Sequence, residues 1–369
     1  MEYFKKVEDI IDKASNEEYG YAKRWLKEIT NRKYLCVFGG GTFGHMWLDL
    51  FEKYNINVDF ICDNDINKWG KKFGRQISCI SPKELESFKD DVSIVVATRH
   101  SATIEKQLSN QGFVNIFIAP LEIFYFKNNF QYVGNKKACL VLKKNISKLL
   151  TICADEDSKK VCINLIKRWM EDIREPMPYV DDQYFVEDII KLGKNEIFVD
   201  AGAFDGDSIQ AFLNKVNYQF VAIYGFEMDP KIYKKLYLNI NNMEKYKEKI
   251  LLYNIGLWDG KCEVSYSSND TSSYVNPCGC EKISMDKLDS LIDKVSFLKM
   301  DIEGAELQAL QGAKEIISRD KPKLAVCVYH LADHLWEVPF YIKKLVPEYK
   351  IYFRHHTSSS TETVCYALI

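Results

Sequence analysis

Two glycine turns, each following a short apolar run and each trailed by an acidic residue, are where this sequence could do chemistry. In the second half, Phe198-Val199-Asp200-Ala201-Gly202-Ala203-Phe204-Asp205-Gly206-Asp207-Ser208 reads as a buried strand that ends in an acid and passes through a glycine turn into a helix. Glycines there let a ligand approach the backbone, and the N–H groups that open the helix can donate to a carboxylate. Glu227 closes the next apolar run 21 residues after Gly206, where an acid can accept both hydroxyls of a ribose. A carboxylate-binding turn followed by a ribose-binding acid suits an adenosyl amino acid at least as well as a dinucleotide. The middle glycine of GxGxxG is missing, with Phe204-Asp205 in its place, which weakens the case for pyrophosphate.

Three more segments close apolar runs with polar residues: Asn254-Ile255-Gly256-Leu257-Trp258, Lys299-Met300-Asp301-Ile302-Glu303-Gly304-Ala305-Glu306 and Tyr329-His330. In a parallel sheet these ends share one carboxyl edge, where doubly wound folds bind ligands. His330 is the expected general base, because an imidazole titrates near neutral pH, and Asp301 would orient it or contact the acceptor. The competing arrangement is a divalent cation held by Asp301, Glu303 and His330. Tyr329, Arg354, His355 and His356 are the next residues expected near an acceptor, although a His-His pair is more often surface decoration.

In the first half, Gly39, Gly41 and Gly44 form GxGxxG around Thr42 and Phe43, after a strand and before a helix, and Asp63 closes the next strand 19 residues on. That combination is the dinucleotide fingerprint. Residues 33–120 number only 88, too few for a full nicotinamide site, so the expectation is a nucleotide or nucleotide-sugar docking domain. Arg99 and His100 could contact its phosphate. The segment Ile61-Cys62-Asp63-Asn64-Asp65 with Lys68, Trp69 and Gly70 resembles small Rossmann-like domains appended to sugar-modifying enzymes of surface-glycan pathways.

The elements that must position these groups follow from periodicity. Residues 1–32 carry apolar positions at helical spacing and read as amphipathic helices. Apolar runs at 34–38, 58–62, 92–97 and 114–118 alternate with helical segments and predict a small parallel α/β domain over 33–120. Residues 121–192 read as a mainly helical connector. A second series, at 196–200, 221–227, 250–254, 295–301 and 324–330, opens a domain over 193–369 that closes with an antiparallel hairpin at 349–354 and 363–368. The fold class is therefore α/β, with two Rossmann-like domains joined by a helical connector. A single helix is expected over 304–318, where Asp301 and Glu303 could equally be a first-turn acidic pair.

Lys plus Arg is 50 and Asp plus Glu 52, a net charge of −2 that offers no basic field for nucleic acid. The longest stretches free of Asp, Glu, Lys and Arg are 15 residues, 34–48 and 107–121, too short for a membrane span. A charged N-terminus without an apolar core, and 11 scattered cysteines, predict a cytoplasmic protein with reduced thiols, Cys262, Cys278 and Cys280 included.

The phrases FVDAGAFDGDS (198–208), FEMDP (226–230), FLKMDIEGAE (297–306), KPKLAVCVYH (321–330) and ETVCYA (362–367) together make residues 180–369 resemble an FkbM-type methyltransferase. The resemblance implies a class I methyltransferase sheet and S-adenosylmethionine as cofactor. It places Asp200, Gly202, Phe204, Asp205, Gly206, Ser208, Glu227, Met228, Gly256 and Leu257 around that cofactor, with Trp258 or its backbone at the adenine and Asp301 toward the methyl group. Met228 stands where the family commonly has proline. The implied function is O-methylation of a sugar hydroxyl in bacterial surface-polysaccharide or glycan synthesis, on a small-molecule or glycan acceptor. Homo-oligomerisation is compatible with it. The alternatives are an NAD(P)-dependent sugar oxidoreductase or epimerase working through the first domain, which lacks a YxxxK pair, and a non-catalytic glycan-binding protein.

Overall fold

The computed structural model describes residues 2–18, 20–74, 76–98, 100–173, 175–243, 246–268, 273–275 and 281–369. Two compact units emerge, one of residues 17–134 and one of 1–16 with 135–369. Arg99, Cys278 and Cys280 lie outside the described residues. Of the nine described cysteines, all but Cys262 are buried. No helix among the described residues is long and apolar enough to cross a membrane.

The unit of residues 17–134 is built on β1 (Tyr34–Phe38), β2 (Phe60–Cys62), β3 (Lys72–Phe73), β4 (Ile77–Ile80), β5 (Val92–Val96) and β6 (Ile116–Ile118). Their order is β3-β4-β2-β1-β5-β6, parallel except for the β3–β4 pair. Every residue of β5 is buried, as expected of a strand covered on both faces. One face packs Trp47, Phe51, Ile61 and Phe126, the other Phe38, Leu85, Ile94 and Leu108. Reversal of strand order between β1 and β5 leaves a switch point at the Gly39 turn, as in a Rossmann sheet.

The other unit continues with β7 (Ile197–Ala201), β8 (Ala222–Phe226), β9 (Ile250–Tyr253), β10 (Gly256–Leu257), β11 (Cys262–Ser268), β12 (Ser273–Val275), β13 (Glu281–Asp286), β14 (Phe297–Met300), β15 (Lys323–Cys327), β16 (Lys350–His355) and β17 (Thr363–Leu368). Its main sheet runs β16-β17-β15-β14-β7-β8-β9, with β17 antiparallel to both its neighbours and the rest parallel. Phe198, Phe212 and Phe297 stack at its centre, with Phe185 edge-on to Phe198 and Phe297. A second small sheet, β10-β13-β11-β12, is a feature that the sequence reading lacks.

The structure redraws the segment boundaries. Helix Glu2–Asn16 belongs with residues 135–369, where it packs on helices Lys136–Ile152 and Glu156–Met170, whereas helices Tyr21–Ile29 and Ile123–Tyr132 belong to the first sheet. The expected connector is thus divided. Its last two helices are built into the second unit: Ser158 Oγ accepts from the Phe353 N–H at 2.8 Å, and Arg354 Nη2 lies 2.7 Å from both Asp155 and Asp188. The helix expected over 304–318 is two helices, Glu306–Gly312 and Lys314–Asp320. At the break a Cβ on Gly312 would stand 1.8 Å from the Trp258 carbonyl oxygen, so the backbones touch there.

Candidate active site

The carboxyl edge of the second sheet holds a cavity of about 340 Å³, within the size range of small-molecule sites. Gly202 begins its floor, with φ +80° and no room for a side chain, because a Cβ would lie 1.9 Å from the Asp301 carbonyl oxygen. The turn from β7 and the end of β14 therefore meet backbone to backbone. Gly202, Phe204, Ser208, Glu227, Met228, Gly256, Leu257 and Asp301 line the cavity, while Asp200, Asp205, Gly206 and Trp258 do not.

Asp200 is fully buried one layer below, 2.9 Å from Lys299 Nζ and receiving the Ser208 hydroxyl. The parallel register sets Lys299 directly opposite Asp200, and Lys299 Nζ also donates to the Gly202 carbonyl at 2.6 Å. Burial alone would lower the Lys299 ammonium, but Asp200 and Asp301 outweigh it and hold the group protonated above its ordinary range. Asp200 is thus joined to the cavity only through Lys299 and the turn, not by lining it. Gly206, at φ +96°, starts helix Asp207–Lys215, and the Asp205 carbonyl is taken by Asn239. Trp258 packs on the small sheet, so Gly256 and Leu257 form the wall instead.

At one end of the cavity, Glu227 Oε2 accepts from Phe204 N–H at 3.1 Å and Oε1 from Asp229 N–H at 2.8 Å. Burial pushes its carboxyl up to about 7 against those two bonds. Met228, Ile232, Leu257 and Met285 give this end apolar walls.

At the other end, Asp301 accepts from Tyr184 Oη at 2.7 Å and Tyr329 Oη at 3.1 Å. Gln183 donates to both Tyr184 Oη and Glu362, and all of these residues face the cavity. Tyr184, Phe204, Glu303 and Glu362 adopt left-handed φ of 69°, 46°, 54° and 67°, so strained backbone is concentrated around the cavity. Gln183, Tyr184, Lys299 and Glu362 escaped the sequence reading as site residues. Only Lys299 carried a signal, since a charge inside an apolar strand requires a buried partner.

His330 does not line the cavity and is not a free base. Its Nδ1 lies 2.9 Å from Glu306 Oε1, and its Nε2 lies 3.5 Å from both Asp301 and Glu303. Burial would lower the imidazole, but Glu306, Asp301 and Glu303 raise it to about 10, so it carries its proton at neutral pH. Glu306, fully buried, also lies 3.0 Å from His334 Nδ1 and accepts from the N–H groups of Ile302 and Gly304. In the arrangement of Asp301, Glu303 and His330, the His330 Nε2 lies 3.5 Å from both carboxylates. The ligand atoms that cluster within 4.8 Å are instead those of Asp301, Glu306 and His330, and of Asp301, Cys327 and Glu362.

Tyr329 is where an acceptor contact was expected, but Arg354, His355 and His356 are structural. Arg354 is held by Asp155 and Asp188, His355 by Thr363 and the Ser359 carbonyl, and His356 by the Val180 carbonyl and Tyr366. The histidine pair is buried or half-buried rather than surface decoration.

In the first unit, Gly39 and Gly44 meet backbone closely, and Gly41 caps helix Thr42–Lys53 with Thr42 exposed and Phe43 half-buried. Asp63 is already engaged: its Oδ2 accepts from the Gly40 N–H at 2.7 Å and from Lys68 at 2.9 Å, and its Oδ1 from Asp65 N–H. Ribose hydroxyls would have to displace those bonds. A cavity of about 540 Å³ in this unit is lined by 55–59 and 76–78 at the amino ends of β2 and β4, away from the glycine turn. His100 is exposed at the start of helix Ser101–Asn110.

A seven-stranded sheet with an antiparallel strand beside β15 and a ligand turn after β7 defines the class I methyltransferase fold. Residues 200–356 match the family model described as the methyltransferase FkbM domain. Over 99% of this chain and 98% of the other, the fold is similar to a crystal structure of methyltransferase FkbM from Methylobacillus flagellatus KT, with 20% identity and a TM-score of 0.68. Shorter similarities include fibrillarin from Aeropyrum pernix with natively bound S-adenosyl-L-methionine (13% identity, 50% of this chain and 72% of that one, TM-score 0.30). UDP-D-quinovosamine 4-dehydrogenase from Vibrio fischeri matches 24% of this chain and 79% of its own, at 17% identity and a TM-score of 0.21. No curated protein sequence matches the chain.

Proposed function

We propose that this methyltransferase takes its methyl group from S-adenosylmethionine and delivers it to a hydroxyl of a sugar or glycan-like acceptor, in bacterial surface-glycan synthesis in the cytoplasm. The observation that carries the reading is one cavity with a buried, ribose-competent carboxylate, Glu227, at one end and the Tyr-bonded Asp301 at the other. The chemistry of the walls fits the cofactor: the Gly202 turn admits a close backbone approach, Glu227 can accept a diol, and Met228, Leu257 and Met285 suit a flat apolar base.

A bound sulfonium supplies an activated methyl and a good leaving group. The protein's remaining tasks are alignment and proton removal. Asp301, a half-buried carboxylate of the wall, accepts the hydrogen bond of the acceptor hydroxyl and receives its proton as the bond to carbon forms. Tyr184 and Tyr329 donate to its two oxygens, and His330 Nε2 lies 3.5 Å from one of them. His330 is thus a positioning residue. Nothing at the Gly39 turn favours the oxidoreductase alternative, since Asp63 is engaged by its own chain.

Calorimetric titration with S-adenosylhomocysteine tests the proposal. Micromolar binding by the whole chain, abolished in Glu227→Ala, is expected; no binding by the folded wild-type protein would overturn it.

A further inference from the structure

We infer that the acceptor carries a cationic amine, as on an amino sugar, beside the group that is methylated; this rests on the methyltransferase reading above. Asp301, Glu303 and Glu362 wall the acceptor end of the cavity. Asp301 has two tyrosine hydroxyls and Glu362 the Gln183 amide, all neutral donors. Glu303 has no ionic partner closer than His330 at 3.5 Å. Among the described residues, no lysine or arginine forms an ion pair with any of the three. Lys299, which shares the wall, is committed to Asp200 and to the Gly202 carbonyl.

The nearest other cation is His330, outside the cavity wall and already shared with Glu306. Its side chain is only 9% exposed, and its Nε2 lies 3.5 Å from both Asp301 and Glu303 without a hydrogen bond to either. The described residues therefore bring little positive charge to these three carboxylates, and to Glu303 no hydrogen-bond donor from a side chain. Burial pushes both Glu303 and Glu362 above the ordinary carboxylate range, with Asp301 adding to it, which is the cost that a bound cation would relieve.

Acceptor classes follow from this inventory. A phosphate or uronate beside the reacting group would add an anion to three. A neutral polyol would supply donors and leave the charges without a counter-ion. An ammonium supplies three donors and the missing charge together. The same three carboxylates thus act as a filter by charge as well as a binding wall.

The experiment uses the full chain at pH 7. It is first titrated with S-adenosylhomocysteine and then, once saturated, with glucosamine, galactosamine and mannosamine, each against its parent hexose, its N-acetyl derivative and the matching uronic acid. At least one amino sugar should bind about tenfold or more tightly than its hexose, as a charge-assisted contact in a partly dry site would give, with the uronic acid weakest. Glu303→Gln and Glu362→Gln should each reduce that preference to about threefold or less. Glu303 is the more exposed, so its variant decides the matter should Glu362→Gln fail to fold. S-adenosylhomocysteine binding without any preference for an amino sugar overturns this proposal alone. Failure of S-adenosylhomocysteine to bind the folded protein overturns the methyltransferase reading and this proposal with it.

Discussion

Glu227 is a carboxyl group that its burial holds partly against ionisation. Its pKa is raised to about 7, so its contribution to stability is complete below the ordinary carboxylate range and is lost as pH rises through about 7. Two ribose hydroxyls donating to it would favour the charged form. Affinity for S-adenosylhomocysteine should therefore strengthen as pH rises toward 7 and level off above, by up to about tenfold per unit. Calorimetry from about pH 5.5 to about 8.5 checks this, and a flat profile would count against the ribose contact. His330 is the opposite case. Its raised value of about 10 means that its stabilisation is complete below the ordinary imidazole range and is lost as pH climbs toward 10. NMR of the His330 ring should show no titration around neutrality. Glu306→Ala would leave His330 and His334 without their shared buried anion and should cost about 3 kcal/mol or more in denaturant unfolding.

At the scale of elements, the site depends on how closely neighbouring strand ends approach. Gly202→Ala would drive a methyl group into the Asp301 carbonyl and force the β7 turn and β14 apart. S-adenosylhomocysteine affinity should fall by about tenfold or more while far-UV circular dichroism stays unchanged. The elements that carry Glu227, Met228 and Asp301 were legible because each residue ends an apolar run beside turn chemistry. Gln183 and Tyr184 come from an irregular stretch after Pro178, and Glu362 from the approach to β17, so only the tertiary path brings them to Asp301. The break at Gly312 was equally hidden, because it answers to Trp258, a contact from a distant segment. His330 was placed on the right strand end, but its protonation depends on Glu306, three residues beyond Glu303, turning back beneath it.

At the scale of the whole molecule, the chain leaves one unit after residue 16 and returns to it at 135. Val7, Ile11 and Ala14 are buried on helices that follow the excursion, a relation that periodicity could not reveal. Calorimetric unfolding should therefore distinguish the two units: Ile11→Ala, at a cost of about 2–4 kcal/mol, should lower the transition that S-adenosylhomocysteine raises, whereas Trp47→Ala should lower the other. If both variants shifted the same transition, the units would not melt independently. The same path has a consequence for the newborn chain. Helix Glu2–Asn16 leaves the ribosome with an apolar face whose partners are synthesised only after the whole intervening unit, by which time that unit's own sheet can have closed. Residues 2–16 must wait as an unpaired amphipathic segment, exposed to chaperones and to other nascent chains, until residues 136–170 arrive.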